Sequence, residues 1–339
     1  MISKREGLKL AAALLLATVG TAATHAPVSA QTNITIALPA PSLLFAPVYI
    51  AQEQGKFREN GLDAKIIYAS GPAVVPAVLG RSAEFAVIAG GIHLAAAVRN
   101  QKLVAIANTQ DHFTTDIVVR RPVAEKIGQT SFPDAVAKVR ALKGLTIGVD
   151  AINGLPHSFL RFLAKKAGMN PETDFTITAL QPQAMVAAMK SGTIDAMAFS
   201  PPFSLTAVSD GGVLWVTGPE VDMPELRSHP YNVVLTRPDY CQSNAAICRA
   251  VVTSLKQAVA LMKTDPSASV ASLAKTFDKM DPQILKQSYE IFAKYAQSDI
   301  ALSEQMYKNV AAYNKVSGII PEDAKLPPVA EMYDLTFTR

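Results

Sequence analysis

Short apolar runs alternate with longer amphipathic ones from residue 34 to 107, and the same alternation restarts near residue 145. Sorting the runs by length, period and flanking Gly or Pro predicts strands over 34–38, 64–69, 85–89 and 103–107. Helices over 47–60, 72–81 and 92–100 fall between them. The second series has strands at 145–149, 175–180 and 196–199, with helices at 156–167, 182–191 and 203–210. Strands and helices alternating at this spacing predict an α/β fold with largely parallel, doubly wound sheets.

The two series are related by an offset of 111 residues. Glu84-Phe85-Ala86-Val87 returns as Asp195-Ala196-Met197-Ala198, and Ile34-Thr35-Ile36-Ala37 as Leu145-Thr146-Ile147-Gly148. A repeat this long exceeds the roughly 20 to 50 residues of solenoid units. It predicts two like lobes facing a cleft, the usual seat of a small ligand. The β-rich runs 116–120 and 231–236 are expected to cross between lobes as a two-strand hinge. Helices after residue 244, including 303–315, should pack on the first lobe. The division is then 31–117 with 233–339 as a discontinuous first lobe and 118–232 as the second. With 49% hydrophobic residues, each lobe can bury its own core.

The N-terminus changes the setting. Lys4, Arg5 and Lys9 precede the apolar run 10–17, and Val28-Ser29-Ala30 offers a cleavage site, the pattern of a secretory signal peptide over 1–30. That run is shorter than the roughly 20 residues of a bilayer span. No later run reads as a span, so a periplasmic chain starting at Gln31 is expected. The formal charge of +4, from 32 basic and 28 acidic side chains, carries no clustered basic surface. Nucleic-acid binding is therefore excluded.

Cys241 and Cys248 form an even pair for an oxidising compartment. Seven residues of one helix rise about 10.5 Å, whereas bridged Cα atoms lie about 4.4 to 6.8 Å apart. A disulfide thus requires Cys241 to precede the helix, with Ser243 as its N-cap; otherwise both remain thiols.

Ligands of open α/β sheets bind beyond the carboxyl ends of strands. The loops 40–46, 89–91, 150–155 and 200–202 stand there and each enters a helix whose first amides lack intrahelical partners. Gly90, Gly91 and Gly154 would allow close approach to the backbone. Ser42, Asn108, His112, Asn153, Ser200 and Tyr231 could add polar contacts, while Phe45, Ile152, Leu155 and Phe203 could form apolar walls. Asn153 reads equally as a helix cap. The histidines at 93, 112, 157 and 229 have no metal-ligand spacing, and no nucleophile elbow, P-loop or dinucleotide fingerprint occurs. No catalytic residue, metal or cofactor is expected.

These features carry a resemblance. Pro41-Ser42, Ala46-Pro47-Val48-Tyr49-Ile50-Ala51, Glu53, Gly55, Phe57 and Gly61-Leu62-Asp63 resemble the entry signature of the aliphatic sulfonate, nitrate and taurine-type substrate-binding proteins of ABC transporters. The segments 142–149 and 190–196 are similar to later motifs of that family, although Glu84 replaces its usual aspartate. The resemblance implies a type II periplasmic-binding fold and hinge closure over one small ligand. It also implies delivery to a membrane permease driven by an ATPase, by a monomer. Its cleft loops fall on Ser42, Leu43 and Phe45, on Ala89, Gly90 and Gly91, on Asn153, Gly154 and Leu155, and on Ser200, Pro201 and Phe203. Small organic anions, sulfonates or carboxylates, are the first ligand class it implies, with a pyrimidine precursor behind them. No arginine stands at these loops to anchor a sulfonate. The rival functions are an enzyme on the same fold and a periplasmic sensor module.

Overall fold

The structure, a computed structural model, describes residues 31–128 and 132–338. The expected signal peptide lies outside the described residues. Ten strands follow in chain order: β1 (Thr32–Leu38), β2 (Leu62–Tyr68), β3 (Phe85–Ile88), β4 (Val104–Asn108), β5 (Asp116–Val119), β6 (Thr146–Val149), β7 (Thr176–Ala179), β8 (Ala196–Phe199), β9 (Val213–Val216) and β10 (Val233–Thr236). They form two five-stranded sheets of order β2-β1-β3-β10-β4 and β7-β6-β8-β5-β9. In the first, β10 runs antiparallel to both neighbours while the other four strands are parallel; β5 does the same in the second.

The duplication survives at atomic detail. Ile36 pairs with Phe85 in the first sheet, and Ile147 with Ala196 in the second. The Thr35 amide donates to Glu84 Oε2 at 2.7 Å, and the Thr146 amide to Asp195 Oδ2 at 3.1 Å. One carboxylate thus fastens the same strand in each half, and glutamate serves where the repeat has aspartate.

Several expectations need correction. The helix expected over 47–60 is two, Ala46–Glu53 and Lys56–Glu59, because Gly55 turns the chain at φ +68. Strand β9, four residues after Gly211-Gly212, adds to the predicted strands. The crossing strands β5 and β10 sit inside the sheets. Each is hydrogen-bonded on both edges, so the chain passes between sheets in the stretches 109–115 and 217–232.

Each half buries a core of its own, Ile34, Val48 and Leu255 in the first and Met185, Met197 and Phe203 in the second, and a further cluster joins them. That cluster runs from Ala37 and Ile88 in the first half to Ile147 and Val149 in the second. Phe113 lies at its centre, with ring centroids 4.6 to 5.4 Å from Phe159, His229, Tyr231 and Tyr313. The helix Glu304–Ser317, expected on the first half, touches both. Asn314 Nδ2 donates to the Gly91 carbonyl at 2.7 Å, and the Tyr313 and Ser158 hydroxyls lie 2.8 Å apart.

The helix Ala245–Thr264 has 20 residues and is long and apolar enough to cross a membrane. Its apolar face is instead buried, with Val251, Leu255, Val259 and Met262 packed in the core beside Ala46–Glu53. Cys241 and Cys248 are bridged, Cα to Cα 5.8 Å. The reach comes from a break: Cys241 lies in its own short helix, Pro238–Ser243, and Asn244, not Ser243, separates it from the next.

Candidate functional site

A narrow cavity of about 40 Å³ lies where chain leaving β1, β3, β6 and β8 converges. The first half lines it with Pro39, Ala40, Ser42, Leu44, Phe45, Gly71, Ile88, Ala89 and Ile92. The second half contributes Asp150, Gly154, Leu155, Pro156, Phe199 and Ser200. Gly71, at φ +51, comes so close to Ala151 that an added Cβ would sit 3.0 Å from the Ala151 methyl. The two halves therefore meet at the rim.

The lining obeys the internal repeat. Pro39 and Asp150, Ile88 and Phe199, and Ala89 and Ser200 are each separated by the same 111 positions, and all six line the pocket. Beneath Ser200 lies a buried hydroxyl cluster. Tyr231 Oη is 2.9 Å from Thr115 Oγ1 and 3.3 Å from Ser200 Oγ, and Thr114 Oγ1 donates to it at 3.4 Å. Burial raises the Tyr231 pKa above the usual phenol value, so it stays neutral. The cluster ties both crossing stretches to the second half's cleft loop.

Of the sequence-derived site residues, Ser42, Phe45, Ala89, Gly154, Leu155 and Ser200 are brought together at the pocket. The others do not line it. Leu43 is core, and Phe203 packs edge-on against Phe199 at 5.6 Å. Pro201 is buried in a cis Pro201–Pro202 step. Gly90 and Gly91 face protein: a Cβ there would lie 2.5 Å from the Pro230 carbonyl oxygen and 2.8 Å from Asn314 Oδ1. Asn108 is buried, donating to Gln297 Oε1 at 2.7 Å and accepting from the Asn232 amide at 3.2 Å. His112 pairs with Asp111 at 2.6 Å and stacks on Tyr295, outside the pocket. Tyr231 reaches the lining only at Ser200 Oγ. Asn153 is exposed, and Ile152 is 51% exposed, so neither forms a wall.

The anion cradle loses most of its donors. The Gly90 amide is taken by Pro230 O at 2.8 Å, the Gly154 amide by Ala151 O at 3.0 Å, and the Leu44 amide by Ser42 Oγ at 3.2 Å. The Asn153 amide donates to His157 Nδ1 at 2.9 Å, so Asn153 caps no helix with its side chain. Burial, with Arg161 nearby, holds that imidazole down at about 4 and hence neutral. Pro47 and Pro156, in the first turns of their helices, have no N–H to offer. Sequence reasoning missed Asp150 as a candidate, although it named the loop; an acid directly after a buried strand was the available signal.

Two α/β sheets with a pocket at the carboxyl ends of their strands define the two-lobed periplasmic binding protein fold. The chain belongs to the NMT1-like family, which residues 29–277 match. It is 26% identical over 228 residues to the bicarbonate transport ATP-binding protein CmpC of Synechocystis, covering 65% of this chain and 34% of that one. Over 132 residues it is 29% identical to the nitrate/nitrite binding protein NrtA of Nostoc, covering 38% of this chain and 29% of the relative. The chain thus spans only about a third of the length of these curated relatives. The alkanesulfonate-binding protein SsuA from Xanthomonas axonopodis pv. citri, solved with MOPS bound, superposes with a TM-score of 0.69 at 18% identity. That match covers 89% of this chain and 99% of SsuA, and shows a shared fold.

Proposed function

We propose that the chain is the solute-binding component of an ABC importer. It captures one small molecule between its halves and passes it to a membrane permease powered by an ATPase subunit. The observation that carries this is the pocket itself, built from the same strand ends in both halves of a duplicated fold. The sulfonate- and nitrate-binding relatives support a binding role over catalysis.

In this reading the protein works as a monomer in the periplasm after removal of residues 1–30. The halves are 31–117 with 233–339, and 118–232. Closure bends the two crossing stretches, and ligand shifts the equilibrium because it touches both halves only when they meet. The helix Glu304–Ser317 must then slide on one half or travel with it. A thermal-shift screen across sulfonates, carboxylates, amino acids and nitrogen heterocycles tests the binding role. A true ligand at a hundredfold excess over its Kd adds about 2.7 kcal/mol of stability. Solution scattering of the same pair should show a small contraction, and an unchanged particle at saturation removes the hinge.

A further inference from the structure

Asp150 directly follows β6 and lines the pocket beside Gly154. A Cβ on Gly154 would come within 3.1 Å of Asp150 Oδ1, so glycine keeps room for the carboxylate. That oxygen is closed off from solvent and lacks a hydrogen bond of good geometry, although the backbone amides of Asp150 and Ala151 lie near enough to the carboxyl to favour its charged form. Among the described residues it is the one buried, unpartnered side-chain atom that belongs to a pocket-lining residue. No other lining residue is ionisable, and the walls around it are apolar, with Phe45 and Phe199 from opposite halves.

A buried acceptor left without a donor is costly, and native proteins satisfy nearly all of them. An incoming sulfonate or carboxylate would add a second negative charge beside the first, with no lysine or arginine in the lining to offset it. A ligand N–H that reaches this oxygen, once the lining shifts to bare it, would form a charge-assisted bond. We propose that Asp150 is the specificity-determining residue of the pocket, and that the ligand is a small, mainly apolar molecule presenting an N–H donor. Aryl amines, amidines and nitrogen heterocycles, neutral or cationic, belong to this class; simple organic anions do not. The Ser42 and Ser200 hydroxyls supply the remaining polar contacts. The assignment rests on the importer reading only in taking the pocket as the ligand site.

The test is calorimetric titration of the purified chain with benzylamine, benzamidine and 2-aminopyridine, set against benzoate and ethanesulfonate. At least one nitrogen compound should bind, and Asp150→Asn should weaken it about 10- to 100-fold, the range for losing a hydrogen bond to a charged group. The melting temperature of the empty variant should equal or exceed that of the parent, since an unsatisfied ion has gone.

Desolvation raises the Asp150 carboxyl to about 6. An N–H donor needs it ionised, so affinity should rise between about pH 5 and pH 7 and then level. The nearby histidines are silent in that window: His157 on the following helix, His93 on the Gly90–Val98 helix and His229 on the crossing stretch lie at about 4, about 4 and about 3. Buried Asp116, opposite Phe199 and raised to about 7, is not, so the profile is repeated on Asp116→Asn, where the rise assigned to Asp150 should persist. His112, raised by its bond to Asp111, stands outside the pocket. Tight binding of benzoate or ethanesulfonate that Asp150→Asn leaves unchanged or improves would overturn the proposal and leave the importer reading in place. Failure of all three nitrogen compounds to bind overturns it as well. If a bound compound is indifferent to Phe199→Ala, the pocket reading itself falls.

Discussion

The two halves share a frame and differ in chemistry. Strand order, register and the carboxylate that fastens each sheet coincide at the 111-residue offset. At the pocket the first half presents Pro39, Ile88 and Ala89 where the second presents Asp150, Phe199 and Ser200. The crossing strands continue the contrast: Val233 lies opposite Ile88, whereas Asp116 lies opposite Phe199. Duplicated scaffolding therefore does not imply duplicated recognition. Each half supplies one phenyl ring and one hydroxyl, Phe45 and Ser42 against Phe199 and Ser200, and the second alone carries an ionisable group, Asp150.

Breaking the joint between the halves should have the greatest consequence. Phe113→Ala empties the centre of the aromatic cluster they share and should cost about 3 to 5 kcal/mol. Urea denaturation reads this, and a single transition would show that the halves unfold together. Two independent transitions would contradict the shared core.

Removing the paired carboxylates sharpens the comparison. Asp195→Ala loses both the Thr146 amide and the ion pair with Arg120 at 3.1 Å, while Glu84→Ala loses the Thr35 amide. Each should cost about 1 to 3 kcal/mol. The second-half variant should be the less stable of the two in the same denaturation assay.

At the pocket, Phe199→Ala should weaken ligand about tenfold, near 1.4 kcal/mol, and Ile88→Ala less, because the ring offers more contact area than the branched chain. Titration of both variants with one ligand checks the order. Equal losses would make the pocket symmetric in energy as well as in position.

The last contrast is electrostatic. Burial pushes Asp116 up to about 7, although Ser204 Oγ and the Gly218 amide donate to it. Below its unfolded value, near 3.8, the carboxyl is protonated in both states. As pH rises toward about 7 the unfolded chain releases the proton first, so this residue lowers stability across that window. The slope is at most about 1.4 kcal/mol per pH unit and less after relaxation. Asp116→Asn should flatten the stability profile between about pH 4 and pH 7, and Val233→Ala should leave its shape unchanged.

Period, composition and repeat were enough to set the α/β class, every strand but β9 and the loops that face the pocket. Those features are local: strand length, a helix-opening Pro and the recurrence of an acid before β3 and β8 are all written in neighbouring residues. Tertiary structure decided the rest, because it depends on residues far apart in the chain. The amides of Gly90 and Asn153 looked free until Pro230 and His157 were seen to hold them. Phe113 joins the two halves through Phe159, Tyr231 and Tyr313, which no period could announce. Asp150 became conspicuous only when folding had closed off its oxygen without bringing it a hydrogen bond of good geometry.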